Sequence, residues 1–115
     1  MEAHAAPDWS AILGSVLPPT SDRLRDPATV PYFLWDTGMT VGEVRTVLAL
    51  SDAAARDEVL VRVLREANTR DAWLFLDWSM IDEAWERIAP RLGRARPVWT
   101  LLRDARARHD LARAG

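Results

Sequence analysis

The stretch Thr40-Val41-Gly42-Glu43 predicts the start of a helix and is the strongest local signal in the chain. In such a capping box, the threonine and the glutamate side chains each accept a hydrogen bond from the backbone N–H of the other residue. Met39 and Val44 occupy the two positions of a hydrophobic staple around it. We therefore expect a helix that runs from this point to about Leu50.

A longer helix is predicted to follow, capped by Ser51 and ending near Asn68. Its apolar residues recur at helical spacing and form one stripe, as expected for a helix with one buried face. This stripe consists of Val59, Leu60, Val63, Leu64 and Ala67. Glu58 and Arg62 are spaced to form an ion pair across one helical turn.

Three further helical segments are predicted in the second half of the chain. Thr69 would cap a short apolar turn, and Ser79 with Asp82 would form another capping box. Pro90 should end or kink that helix, because proline has no N–H to donate inside one. Pro97 suits the first position of the last helix, where that N–H is not needed.

These patterns predict an all-α protein, a compact orthogonal bundle of about five to six short helices. Helix pairs stacked as in a short α-solenoid are the alternative arrangement. Residues 1–30 are predicted to form an N-terminal arm, with a short helix over residues 8–17 and a proline-rich loop. Residues 31–115 are predicted to form the helical domain, which ends in an arginine-rich helix.

Composition narrows the classes of function. The chain has no cysteine, which excludes disulfides and thiolate metal sites and suits a reducing cytoplasm. His4 and His109 lie near opposite ends, so a histidine metal site is not expected. No apolar run is long enough for a membrane span, and no signal peptide is evident. We expect a cytoplasmic protein without metal or cofactor.

Two acidic patterns suggest metal-dependent catalysis, but a structural interpretation is favoured for both. Asp22 and Asp26 follow Gly14-Ser15, as carboxylates follow a Gly-Ser pair in nucleotidyltransferases. Metal-binding carboxylates of that kind should alternate along a strand, whereas these lie in a proline-rich loop. Asp82 and Glu86 share a helical face, in an acidic turn that complements the helix dipole. We therefore expect a protein that is not an enzyme.

Charge is unevenly distributed behind a formal net charge of −2. Up to Glu86 there are 15 acidic residues and 7 arginines, whereas from Arg87 onward there are 8 arginines and 2 aspartates. Opposite poles of this kind orient the encounter with a charged partner. The acidic pole is predicted from Asp71, Asp77, Asp82, Glu83 and Glu86. A surface for anions or nucleic acid is predicted from Arg94, Arg96, Arg103, Arg106 and Arg113, with a solvated helix end as the equal alternative.

Aromatic residues supply a second kind of candidate contact. Tyr32-Phe33-Leu34-Trp35 is predicted to form a single helical turn or an irregular plug, for which core packing is favoured over partner contact. Trp85 and Trp99 lie at helical spacing among aliphatic residues and are predicted to anchor the core. Trp9, Trp35 and Trp78 lie beside prolines, aspartates or helix boundaries, where complete burial is harder to arrange.

Four motifs give the chain a resemblance to a family of small prokaryotic helical proteins. They are Pro31-Tyr32-Phe33-Leu34-Trp35-Asp36, Thr40-Val41-Gly42-Glu43, Val63-Leu64-Arg65-Glu66-Ala67, and Pro90-Arg91-Leu92 before Trp99. The genes of that family often lie beside genes for nucleotidyltransferase-type toxins of the abortive-infection class. The resemblance implies an antitoxin or accessory role, and it carries over no catalytic residues.

The residues and the resemblance together predict an interaction protein that covers the basic cleft of such a toxin. The predicted protein-binding residues are Tyr32, Phe33, Trp35, Asp36, Asp71, Asp77, Trp78, Asp82, Glu83 and Glu86. The alternative is a nucleic-acid-binding regulator that uses the C-terminal arginines. No membrane partner is expected.

Overall fold

Helices make up most of this chain in a computed structural model that describes residues 19–50 and 52–114. The α-helices in this part are α1 (Val41–Leu50), α2 (Ala53–Glu66), α3 (Thr69–Ala72), α4 (Trp78–Ile88) and α5 (Arg96–Ala114). Single 3₁₀ turns lie at Asp22–Arg25, Tyr32–Leu34, Ala89–Arg91 and Gly93–Ala95. No strand occurs among the described residues, and the predicted all-α bundle of about five helices is confirmed. The helix predicted over residues 8–17 lies outside them.

The start of α1 forms as the capping box predicts. The Thr40 N–H donates to Glu43 Oε1 at 2.8 Å, and the Glu43 N–H donates to Thr40 Oγ1 at 3.1 Å. The next two amides, of Val41 and Gly42, donate to backbone carbonyls in the preceding segment, at Thr29 and Pro27. Because the first amides of a helix have no partner within it, these bonds hold residues 27–29 against the start of α1.

The caps of α3 and α4 differ from the predicted ones, and Ser51, the cap predicted for α2, lies outside the described residues. Asp52, Asn68 and Asp77 cap α2, α3 and α4 through their side-chain oxygens. The predicted caps at Thr69 and Ser79 are therefore wrong by one and two residues. Each true cap is an aspartate or asparagine in extended backbone directly before its helix, and these residues cap at least as well as serine or threonine. Ser79 donates its hydroxyl to Asp77 and does not form a box with Asp82.

Helix α2 runs through the middle of the core. It packs against α1, α4 and the 3₁₀ turns at Tyr32–Leu34 and Gly93–Ala95. Val59, Leu60, Val63 and Leu64 are buried as predicted, whereas Ala67 is only partly buried. With neighbours on several sides, α2 buries Val61 as well, so its buried face is wider than a single stripe.

Three tryptophans pack together beside α2. The ring centroids of Trp73, Trp78 and Trp99 lie 5.1 to 6.2 Å apart. Trp99 is 2% exposed, as predicted for a core anchor, and its indole N–H donates to the Leu64 carbonyl at 2.8 Å. Trp78 is also buried, against expectation, because this cluster covers a residue that lies at a helix boundary in sequence.

The segment before α1 packs on the helices. Pro19, Leu24 and Pro31 are buried, and the turn at Asp22–Arg25 is capped by the Ser21 hydroxyl. This described part of the predicted N-terminal arm is therefore held on the helical body. No described helix combines the length and the apolar character that a membrane crossing requires.

Candidate protein-binding surface around Trp35

Trp35 projects from the body of the protein with 79% of its surface exposed. It follows the 3₁₀ turn Tyr32–Leu34, in which residues three apart lie above one another. Tyr32 and Trp35 therefore face outward together, while Phe33 and Leu34 between them are buried. Val30, which is 41% exposed, is the third large apolar residue in this segment. We call Val30, Tyr32 and Trp35 the aromatic face.

The backbone beyond Trp35 is closed by local hydrogen bonds. The amides of Thr37 and Gly38 both donate to the Leu34 carbonyl, at 3.0 and 3.1 Å. Gly38 has a φ of 71°, in the left-handed region that glycine enters without strain. The loop that carries Trp35 is thus a defined turn.

An ion pair ties the same loop to α2. Arg62 binds both carboxylate oxygens of Asp36, at 2.6 and 3.2 Å, and its guanidinium also reaches the Phe33 carbonyl at 3.4 Å. The hydrogen bonds from Arg62 lower the pKa of Asp36 below its usual value. The predicted pair between Glu58 and Arg62 is wrong, because Glu58 binds Arg91 at 2.6 Å instead. A bidentate contact with Asp36 is more favourable than a pair along one exposed helix face.

A second anchor joins the loop to α3 through Tyr32. The Tyr32 hydroxyl donates to Asp71 at 2.7 Å and accepts from the Asn68 amide at 2.6 Å. Burial, and then the hydrogen bond to Asp71, raise the pKa of Tyr32 to about 12. Asp71 is 0% exposed and also accepts from Thr20, through both its amide and its hydroxyl, each at 2.7 Å. The Asp71 carboxylate therefore accepts hydrogen bonds from two separate segments of the chain, at Thr20 and at Tyr32.

A shallow groove of about 430 Å³ lies beside the indole of Trp35. Its lining residues are Tyr32, Phe33, Trp35, Asp36, Arg62, Arg65 and Glu66. Arg65 and Glu66 at the rim are exposed, and neither is in an ion pair with another described residue. The groove offers an aromatic wall and two exposed side chains of opposite charge to an incoming side chain.

The predicted acidic pole is largely occupied within the molecule. Asp82 binds Arg103 and Arg106, at 3.0 and 2.8 Å, and Glu83 binds Arg87 at 3.0 Å. Hydrogen bonds from Arg87 lower the pKa of Glu83. Asp77 caps α4, and hydrogen bonding to Ser79 and the Met80 amide lowers its pKa. Asp71 is buried, which leaves Glu86 as the exposed carboxylate of this set without an ion pair to a described residue.

The predicted arginine surface divides into two groups. Arg103 lies over the Trp85 ring at 4.4 Å and Arg106 over the Trp78 ring at 5.4 Å, so both face α4 while they bind Asp82. Arg94, Arg96 and Arg113 are exposed and form no ion pair with a described residue. The first group holds α5 on α4, and the second is open to solvent.

Of the predicted protein-binding residues, the structure brings Tyr32, Trp35 and Asp36 together on one exposed face. Phe33, Asp71 and Trp78 are buried and offer no surface to a partner. Arg62 as the partner of Asp36, and Thr20 as a partner of Asp71, were not predicted from the sequence. Because these contacts join residues 26 and 51 positions apart, no local pattern signals them.

No protein family, curated protein or solved structure matches this chain. Among the described residues, no three histidine, cysteine, aspartate or glutamate side chains are grouped so as to hold a metal ion.

Proposed function

We propose that this protein acts by binding another protein through the aromatic face. The observation that carries this proposal is the exposure of Trp35, which is 79% accessible although Tyr32 before it and Asp36 after it are both anchored to the body of the protein. An exposed indole next to a polar groove is a feature of binding hot spots, where tryptophan is enriched. Burying it in a partner would remove a large apolar area from water.

The anchoring of the loop supports the same proposal. A side chain on a mobile loop loses conformational freedom when it binds, and this loss weakens the complex. Here the ion pair to Arg62 and the hydrogen bonds of Tyr32 fix the turn before any partner arrives. A preformed aromatic face therefore binds with a smaller entropic cost.

The partner that we propose is a nucleotidyltransferase-type toxin, which this protein neutralises as an antitoxin or accessory subunit in a prokaryotic cytoplasm. Support comes from the resemblance at residues 31–36, because those residues are the ones that build and fix the aromatic face. Among the charged residues at its edge, Arg65 and Glu66 remain available to a partner. In this proposed role, the protein acts by binding and is not an enzyme.

Co-expression with the toxin encoded beside the gene tests the proposal. We expect a stable complex on gel filtration and relief of the growth arrest that the toxin causes alone. Trp35→Ala should weaken binding by about 2 kcal/mol, roughly thirtyfold in Kd, as loss of a hot-spot tryptophan does. The matched control is Leu50→Ala, since Leu50 is 81% exposed and lies at the end of α1.

Two results would contradict the proposal. Absence of both a complex and relief from growth arrest would exclude this toxin as the partner. A complex that Trp35→Ala and Leu50→Ala weaken equally, or not at all, would exclude the aromatic face as the contact.

A nucleic-acid-binding regulator remains a second candidate because Arg94, Arg96 and Arg113 are exposed without ion pairs to described residues. It predicts retarded mobility of DNA or RNA with steep salt dependence, since each arginine that meets a phosphate releases a counterion. Substituting Arg94 and Arg96 together by glutamate should abolish that retardation. Retardation that is absent, or insensitive to salt, excludes this candidate.

A further inference from the structure

Asp71 is the point at which the segment before α1 and the aromatic face meet. Its carboxylate is completely buried, and its described hydrogen bonds come from two distant parts of the chain. Thr20 lies 51 residues away and gives two of these bonds, while Tyr32 lies 39 residues away and gives one. Neither contact is needed for α3 itself, which Asn68 caps.

A buried carboxylate depends on its donors more than an exposed one does. Its oxygens have lost their hydration, so each missing hydrogen bond leaves part of that loss without compensation. Thr20 and Tyr32 both donate to Oδ2 of Asp71 and so hold the carboxylate in one orientation. When one donor leaves, the carboxylate can move away from the position in which it accepts from the other. Thr20 and Tyr32 are therefore connected although they do not touch in any described hydrogen bond.

We propose that Asp71 couples the docking of the segment around Thr20 to the order of the aromatic face, so that a change at either segment is transmitted to the other. Loss of the Thr20 contact loosens Tyr32, and loss of the Tyr32 contact loosens the turn at Asp22–Arg25. The regulatory meaning of this coupling rests on the proposed function, since the aromatic face is the binding surface there. The coupling itself is a property of the free protein.

Amide hydrogen exchange on the free protein tests the coupling without any partner. Thr20→Val keeps the size of the side chain and removes only its hydroxyl donor to Asp71. We expect the amides of Leu34, Thr37 and Gly38 to exchange roughly fivefold to tenfold faster, as loss of one typical hydrogen bond predicts when its effect is transmitted to a coupled segment. Thr46→Val is the matched control, because it removes a threonine hydroxyl bond within α1.

The reverse substitution must give the reciprocal effect, since a coupling between two sites acts equally in both directions. Tyr32→Phe should accelerate exchange at the amides of Leu24 and Asp26, which close the 3₁₀ turn near Thr20. In a double-mutant cycle of urea unfolding, Thr20→Val and Tyr32→Phe should be non-additive.

Exchange that rises only around each substituted residue, together with additive unfolding free energies, would overturn the coupling. Both variants remove one hydroxyl from a residue that is not fully buried, so we expect the fold to be retained, and circular dichroism of each variant checks this before the comparison. If the coupling is present and Trp35→Ala leaves the toxin complex intact, the proposed function fails while this inference stands.

Discussion

The aromatic face and the arginine-rich helix α5 were both expected to contact partners, but they differ in how much of each is left exposed in the structure. At the aromatic face, the neighbouring carboxylate of Asp36 is paired with Arg62 within the molecule, while the large indole of Trp35 stays outside. In α5, Arg103 and Arg106 are turned inward onto Asp82 and two tryptophan rings. A run of like charge in the sequence therefore does not define a charged surface until its intramolecular partners are known.

The reason is that opposite charges far apart in sequence attract each other first within the folded chain. Asp82 lies on α4 and its two arginines lie 21 and 24 residues later on α5. Both arginines also cover aromatic rings, and such contacts add stability to an ion pair that is weak when fully exposed. The two poles predicted from the sequence therefore partly neutralise each other where α4 and α5 meet.

The largest expected difference lies between an inside and an outside tryptophan. Trp99→Ala should lower the free energy of unfolding by about 3 to 5 kcal/mol, because it leaves a cavity in the core. Trp35→Ala should change it by less than about 0.5 kcal/mol, as for a surface substitution without structural contacts. Urea unfolding followed by circular dichroism measures both. A large loss of unfolding free energy for Trp35→Ala would show that its indole is structural, contrary to its assignment as a binding residue.

A smaller effect on stability is expected at alkaline pH. It comes from Tyr32, which links the aromatic face to α3. The folded protein holds the phenolic proton more tightly than the unfolded chain does, with a pKa of about 12 against 10.0. Its contribution to stability is therefore complete below pH 10.0 and is lost as the pH rises towards about 12. Tyr32→Phe should remove this dependence from the urea midpoints.

The chain contains one tyrosine, so the absorbance of its phenolate reports this titration directly. In concentrated urea the midpoint should return to the ordinary value. An ordinary midpoint in the folded protein would mean that Tyr32 is not held by Asp71 in solution.

The smallest change in stability is expected for the ion pairs that join α4 and α5. Asp82→Ala should cost at most about 1 kcal/mol of stability, because these ion pairs are partly exposed. It should also release Arg103 and Arg106, so that a DNA oligonucleotide binds more tightly and with a steeper salt dependence than it binds the unsubstituted protein. Asp104→Ala is the charge-matched control, since Asp104 is exposed and pairs with no described arginine. Equal binding by the two variants would show that net charge alone matters.

The parts of the fold that were predictable are those that neighbouring residues determine. The start of α1 depends on Thr40 and Glu43, three positions apart, and the sequence predicted it correctly. Exact helix starts further along depended on which of several polar neighbours entered the capping position. For α4, the choice fell on Asp77 and not on Ser79, because the chain before the helix is extended at Asp77.

The candidate site was predictable in part for the same reason. Alternation of exposed and buried residues over the turn at Tyr32–Leu34 is local, and the aromatic cluster was identified from the sequence. Burial of Trp78 and the pairing of Asp36 with Arg62 depend on how helices meet, and no local pattern encodes that. The sequence therefore identified the aromatic cluster, but neither which of its side chains are exposed nor what holds them in place.

The indole N–H of Trp99 donates to the Leu64 carbonyl near the C-terminal end of α2, so a residue 35 positions later supplies a hydrogen bond to the second helix. A chain that ends before Trp99 would lose this hydrogen bond and expose the core to solvent. Most side chains of residues 107–113, after Arg106, are exposed and do not pack on the core. A fluorophore or an affinity handle for surface immobilisation therefore belongs on the outer turns of α5, well away from the joint that completes α2.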